Sequence, residues 1–267
     1  MVKDNLNTLY KALPEGVKLV AVSKFHPVER LMEAYDAGQR IFGENRPQEL
    51  AAKVPQMPAD VEWHFIGHLQ TNKLKLVLPY VSLVQSVDSF HLLEAINRWA
   101  LDNGRVINIL LELHLGAEET KHGFTEEEIV QLLSSGEGIG SENLRSSTSS
   151  LPLSVFPSAK QACLPSSLPA GPSHSCGHGR PQFSEPTPSP DSGIRIIGLM
   201  GMATNTDDMS VVEKDFERIE DLFKRLRDKH PQLTELSIGM SGDWPLAVKH
   251  GATMVRIGTD IFGPREY

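Results

Sequence analysis

Short apolar runs alternate with amphipathic stretches along most of the chain, at spacings that suit strands and helices in turn. Residues 3–12 put Leu6, Leu9 and Tyr10 on one face of a helix. Residues 17–24, VKLVAVSK, follow as an apolar run too short for a helix, and Leu19 to Val22 read as a fully buried strand. Pro27 opens a helix over 27–37, which Gly38 stops. A second strand is expected over 39–42, ending in Gly43-Glu44-Asn45, and another helix starts at Pro47. Strands over 61–66, 81–87 and 106–113 then alternate with helices over 71–78 and 90–101. Thr125 and Glu128 have the spacing of a capping box for a helix through Leu133.

A sixth strand is expected over 194–199. The clearest helix of the chain comes next, with Val212, Phe216, Ile219, Phe223 and Leu226 at steps of four and three. Residues 233–238 read as a strand, 243–249 as a helix with Pro245 in its first turn, and 253–257 as the eighth strand. Eight strands alternating with helices predict an α/β fold, a single (β/α)8 TIM barrel with an N-terminal helix. An open doubly wound sheet is the alternative and normally uses fewer strands. Residues 138–193 break the rhythm: they hold 9 of the 18 prolines and both cysteines, and show neither period. Such a stretch cannot bury enough apolar surface to offset its ordering entropy. It is therefore expected to be a disordered insertion without a chemical role, with 1–137 and 194–267 forming one barrel domain. Cys163, His174, Cys176 and His178 lie in it at spacings that match no familiar zinc pattern.

Charge and composition narrow the function. A net charge of −8 argues against a protein whose main task is to neutralise nucleic-acid phosphates or an anionic membrane. No apolar run approaches the twenty or so residues of a membrane span, and the first residues lack a signal-peptide core. Two cysteines support no disulfide framework. The expected setting is cytoplasmic.

In such a barrel the pocket collects at the carboxyl ends of the strands. The first strand ends in Ser23-Lys24, where a partly desolvated lysine amine can attack a carbonyl to form a Schiff base. The last two strands end in Gly239-Met240-Ser241-Gly242 and Gly258-Thr259, glycines beside hydroxyls that can cradle a phosphate. Arg256 interrupts an apolar strand, where it meets either an internal salt-bridge partner or a ring nitrogen of a bound cofactor. Glu44, His64, His68, Lys73 and the Lys121-His122 pair have simpler readings as strand-end, packing or solvated groups.

Jointly, these residues resemble a known family. VAVSK at 20–24, FGENRPQEL at 42–50, WHFIGHLQTNK at 63–73, SVDS at 86–89, EETKHGF at 118–124, GLMGMA at 198–203, LSIGMSGDWPLAVKHGATMVRIGT at 236–259 and IFGPREY at 261–267 are similar to the YggS/PROSC pyridoxal phosphate homeostasis proteins. The resemblance covers nearly everything except 138–193, which is foreign to that family. It implies a barrel of the alanine racemase N-terminal type, a fold type III arrangement, with pyridoxal 5'-phosphate held as a Schiff base on Lys24. By the same match Arg256 faces the pyridine nitrogen, Ser241, Gly258 and Thr259 hold the phosphate, and Asn45 and Met200 line the ring. The implied role is intracellular cofactor homeostasis, a monomeric carrier serving pyridoxal-phosphate-dependent acceptor enzymes without a committed reaction of its own. An amino-acid racemase is the alternative. It needs a second base opposite the lysine, commonly a tyrosine from a second domain. The chain stops at Tyr267, just after the eighth strand, and no strand end in the sequence carries a tyrosine.

Overall fold

Each apolar run becomes a parallel strand buried on both faces, one against the barrel axis and one against a layer of helices. The computed structural model describes residues 1–116, 122–134 and 192–264. Its strands are β1 (Lys18–Val22), β2 (Ile41–Glu44), β3 (Glu62–Phe65), β4 (Leu83–Val87), β5 (Ile107–Leu113), β6 (Ile194–Gly201), β7 (Glu235–Ser237) and β8 (Met254–Ile257). They pair in chain order and close, with Val20 of β1 opposite Arg256 of β8. Closure leaves no sheet edge, so the open doubly wound alternative is excluded. Among the described residues no helix is long and apolar enough to cross a membrane.

Between the strands run α1 (Val2–Ala12), α2 (Val28–Asp36), α3 (Pro47–Lys53), α4 (Leu74–Val77), α5 (Phe90–Asp102), α6 (Glu126–Ser134), α7 (Met209–Arg227), α8 (Trp244–Lys249) and α9 (Thr259–Phe262). Local chemistry sets their ends. The capping box of α6 forms in both directions: Glu128 N donates to Thr125 Oγ1 at 3.2 Å, and Thr125 N to Glu128 Oε2 at 2.8 Å. Asp208 caps α7, accepting from Ser210 N at 2.9 Å. All five stripe residues of α7 are buried against the barrel. The short α9 has no apolar period to announce it. It is held by long-range bonds instead, from Asn5 Nδ2 to Ile261 O at 3.0 Å and from Arg30 Nη2 to Phe262 O at 2.8 Å.

Strand boundaries move for identifiable reasons. β2 begins at Ile41, two residues later than expected, because the buried Gln39 turns its amide onto Leu19 O at 2.8 Å and acts as a strut. β6 runs two residues beyond Leu199, to Gly201. Its register against β5 slips between Ile109 and Leu110, and it passes so close to β7 that a Cβ on Gly198 would lie 1.7 Å from Glu235 O. Glycine is required there. Inside the barrel Val20, Leu83, Leu110, Met200 and Met254 form an apolar layer. Of the expected insertion, 138–191 lies outside the described residues, as do its cysteines and histidines. Gly193 is firmly placed: its N–H donates to Asn97 Oδ1 at 2.7 Å and its carbonyl accepts from Ile107 N at 2.9 Å.

Candidate functional site

Lys24 stands two residues past the end of β1, on a turn braced from beneath. Ser23 donates its hydroxyl to Glu44 Oε1 at 2.6 Å, and Lys53 of α3 donates to Ser23 O at 2.9 Å and Glu44 Oε1 at 2.7 Å. Glu44 is fully buried, and burial pushes its carboxyl above the usual range, against the pull of Lys53 and Ser23. The next residue, Phe25, adopts φ +68°, the left-handed region that non-glycine residues avoid. Its N–H is tied to Glu49 Oε2 at 2.9 Å, and Arg46 lies 4.4 Å over its ring. A strained residue fixed from several sides, next to a lysine, marks a turn whose shape matters.

The turn opens on a cavity of about 240 Å³ at the carboxyl ends of the strands. Its walls bring together Lys24, Asn45, Ser241, Arg256, Gly258 and Thr259, residues drawn from the ends of β1, β2, β7 and β8. Arg256 is buried, donating from Nη1 to Ser237 O at 2.8 Å and Ser237 Oγ at 2.6 Å, and from Nη2 to Gly201 O at 2.9 Å. Burial lowers its pKa to about 10, against the opposing pull of Glu112 and Asp243, so it stays a cation at neutral pH. Ser237 Oγ in turn donates to Gln85 Oε1 at 2.7 Å, and Gln85 Nε2 lies 2.9 Å from His64 Nδ1. Burial, with Lys18 nearby, drives the His64 imidazole down to about 3, so it is neutral. A connected polar floor thus underlies the cavity and holds the guanidinium in place.

Six of the seven residues proposed from sequence meet in this one cavity, and Met200 does not line it. β6 extends past Leu199, so Met200 falls inside the strand and its side chain joins the apolar layer with Val20, Leu83 and Met254. Met202, two residues on, lines the cavity instead, as does Met240. The brace of Ser23, Glu44, Lys53 and Glu49 also escaped the sequence reading. Its one local signal is the four-residue step from Glu49 to Lys53 on α3, which places both on one helix face. At the end of β3, Gly67 comes so close that a Cβ would sit 2.4 Å from Asn45 O. Asn45 Oδ1 is buried with no hydrogen-bond partner among the described residues. The backbone N–H groups of Ser241, Gly242 and Thr259 likewise have no backbone acceptor among them. The cavity therefore offers a cation, an amine-bearing turn, two hydroxyls and open amide donors, a set suited to an anionic ligand with a reactive carbonyl.

Comparison with known proteins agrees. A family model described as "Alanine racemase, N-terminal domain" matches residues 1–148 and 188–266 and passes over the serine- and proline-rich middle. The curated "Pyridoxal phosphate homeostasis protein" of Pasteurella multocida is 34% identical over 260 residues, covering 95% of this chain and 89% of its own. That of Vibrio alginolyticus is 32% identical over 259 residues, covering 95% and 89%. Among solved structures, PipY of Synechococcus elongatus PCC7942 with PLP bound superposes with a TM-score of 0.70 at 30% identity, covering 98% of this chain and all of that one.

Proposed function

Because the chain belongs to the alanine racemase N-terminal domain family, we propose that it binds pyridoxal 5'-phosphate and holds it for release to other proteins. The observation that carries this reading is that Lys24 lines the same cavity as Ser241, Gly258 and Thr259. An aldehyde and a phosphate on one small ring need an amine and an anion cradle within one ligand's span, and this cavity has both. The residues fit the group in detail. The uncommitted Asn45 amide end meets ring substituents by turning either its carbonyl or its NH2 inward. Ser241, Gly258 and Thr259, with the open N–H groups of Ser241, Gly242 and Thr259, would hold the phosphate. Pyridoxal phosphate held there would supply an electrophilic aldehyde, and Lys24 would be the residue whose amine takes it as a Schiff base.

The chain's own residues do the rest. The Glu44–Lys53–Ser23 brace and the left-handed Phe25 aim Lys24 at the cavity. Arg256, a cation at neutral pH with no proton to accept, would face the ring nitrogen and keep the ring a weak electron sink. Weak activation and a cavity with no lining tyrosine among the described residues favour storage over racemisation. The protein on this reading is a single barrel with 138–193 as an insertion, acting as a monomer in the cytoplasm on pyridoxal-phosphate-dependent acceptors.

Adding pyridoxal 5'-phosphate to cofactor-stripped protein is expected to give visible imine absorbance. Borohydride then leaves a stable adduct on a peptide containing Lys24; a labelled peptide from elsewhere, or none, overturns the assignment. Enzyme-like exchange of an amino acid's α-hydrogen in deuterated water would replace the carrier role with racemisation.

A further inference from the structure

Beside the lysine-bearing cavity lies a second one of about 250 Å³, whose chemistry the proposed function leaves unused. Its walls include His68, Asp88, Glu112, His114 and His122. Three separate elements converge there: the loop after β3 brings His68, the end of β4 brings Asp88, and the segment leading to α6 brings His122. Every pair of ligand atoms among these three lies within 4.8 Å. His68 Nδ1 is 2.7 Å from Asp88 Oδ2, and the His68 and His122 rings stack with centroids 4.4 Å apart and planes 19° apart. The Asp88 side chain is only 5% exposed, while that of His68 is 49% exposed. The other Asp88 oxygen accepts from Ser89 Oγ at 3.0 Å, which orients the carboxylate.

Asp88 is buried close to a second buried carboxyl, Glu112, which burial and then the nearby Asp88 push up to about 7, so a cation beside Asp88 would relieve a cost otherwise met by keeping Glu112 protonated. Arg256 acts on Glu112 from the neighbouring cavity, and among the described residues the wall on the Asp88 side holds no arginine or lysine. We propose that His68, Asp88 and His122 bind a divalent transition-metal ion of the zinc class. Two imidazoles and one carboxylate suit Zn²⁺ and its neighbours in the series rather than Mg²⁺ or Ca²⁺. Ligands at zinc bond lengths in a tetrahedron stand about 3.4 Å apart. The His68–Asp88 pair is closer than that at 2.7 Å, and all three ligand atoms lie within 4.8 Å of one another, so modest side-chain adjustment would be needed to close the set. Three protein ligands leave one position open to the cavity, for water or an anionic group.

The test uses the full chain carrying Cys163→Ser and Cys176→Ser, stripped with a chelator, so that thiols outside the site do not compete. Calorimetric titration with Zn²⁺ is expected to show one equivalent bound at micromolar or tighter affinity, and Co²⁺ to give the visible bands of tetrahedral coordination. His122→Ala and Asp88→Asn are each expected to weaken Zn²⁺ at least tenfold. No stoichiometric binding, or affinity unchanged in either folded variant, overturns the site. His122 is exposed, so His122→Ala decides the matter if Asp88→Asn does not fold.

Discussion

The cavity that holds Lys24 and the one that holds Asp88 are nearly equal in volume, about 240 and 250 Å³, and share Asn45, Ile66 and Met202 in their walls. Their charges are opposite. Around the first stand Lys24, Arg256 and the hydroxyls of Ser241 and Thr259; around the second stand Asp88, Glu112 and three imidazoles. The division follows strand order: β1, β7 and β8 end on one side of the mouth, and β3, β4 and β5 on the other. The two proposed ligands would then sit on opposite sides of one rim. Arg256 joins the halves, since it lines the first cavity and acts electrostatically on Glu112 in the second.

Removing the amine should break the comparison most completely. Lys24→Ala is expected to abolish the borohydride-trapped adduct while Zn²⁺ affinity stays as in the parent, read by mass spectrometry and calorimetry. Arg256→Met should disturb both sides, because it removes the buried guanidinium that donates to Ser237 and Gly201 O and that holds the Glu112 pKa down. The expected loss is about 3 kcal/mol of stability, measured by urea unfolding. Ser241→Ala combined with Thr259→Val should sharpen the contrast without harming the fold. It is expected to weaken pyridoxal 5'-phosphate by roughly 10–100-fold, the worth of hydrogen bonds to a charged group, while pyridoxal without the phosphate binds as before.

The last test is of pH dependence and concerns the polar floor beneath the lysine-bearing cavity. His64 has a folded pKa of about 3 against 6.5 when unperturbed, so the unfolded chain takes up its proton first as pH falls. Stability that is fully present above pH 6.5 is then lost between 6.5 and 3, by at most about 1.4 kcal/mol per pH unit. His64→Gln should flatten this part of the acid slope in pH-dependent melting. An unchanged slope would mean that His64 is not the neutral, buried partner of Gln85.

Much of the barrel is legible in the chain because its signals are local. The α6 capping box, the α7 stripe and Pro245 in the first turn of α8 each act within a few residues. The expectation for the second strand slips by two because Glu44 is polar yet buried at its end, and hydropathy cannot see the Lys53 ammonium that receives it. Met200 falls outside the cavity wall for a related reason. Where β6 stops depends on its pairing with β5 through Gly201, and that pairing decides which methionine reaches the mouth. The His68–Asp88–His122 cluster is invisible to spacing rules, since its members come from three turns.

The order of strands and helices, their caps, and the strand ends that carry reactive groups follow from the sequence itself. Hydrophobic period, capping and turn chemistry are short-range effects, and a linear reading captures them. Which ends meet was decided only by the closed barrel. Pairing β8 with β1 brings Thr259 to Lys24 across more than 230 positions of chain, an encounter that depends on strand register and packing rather than on any neighbour in the sequence.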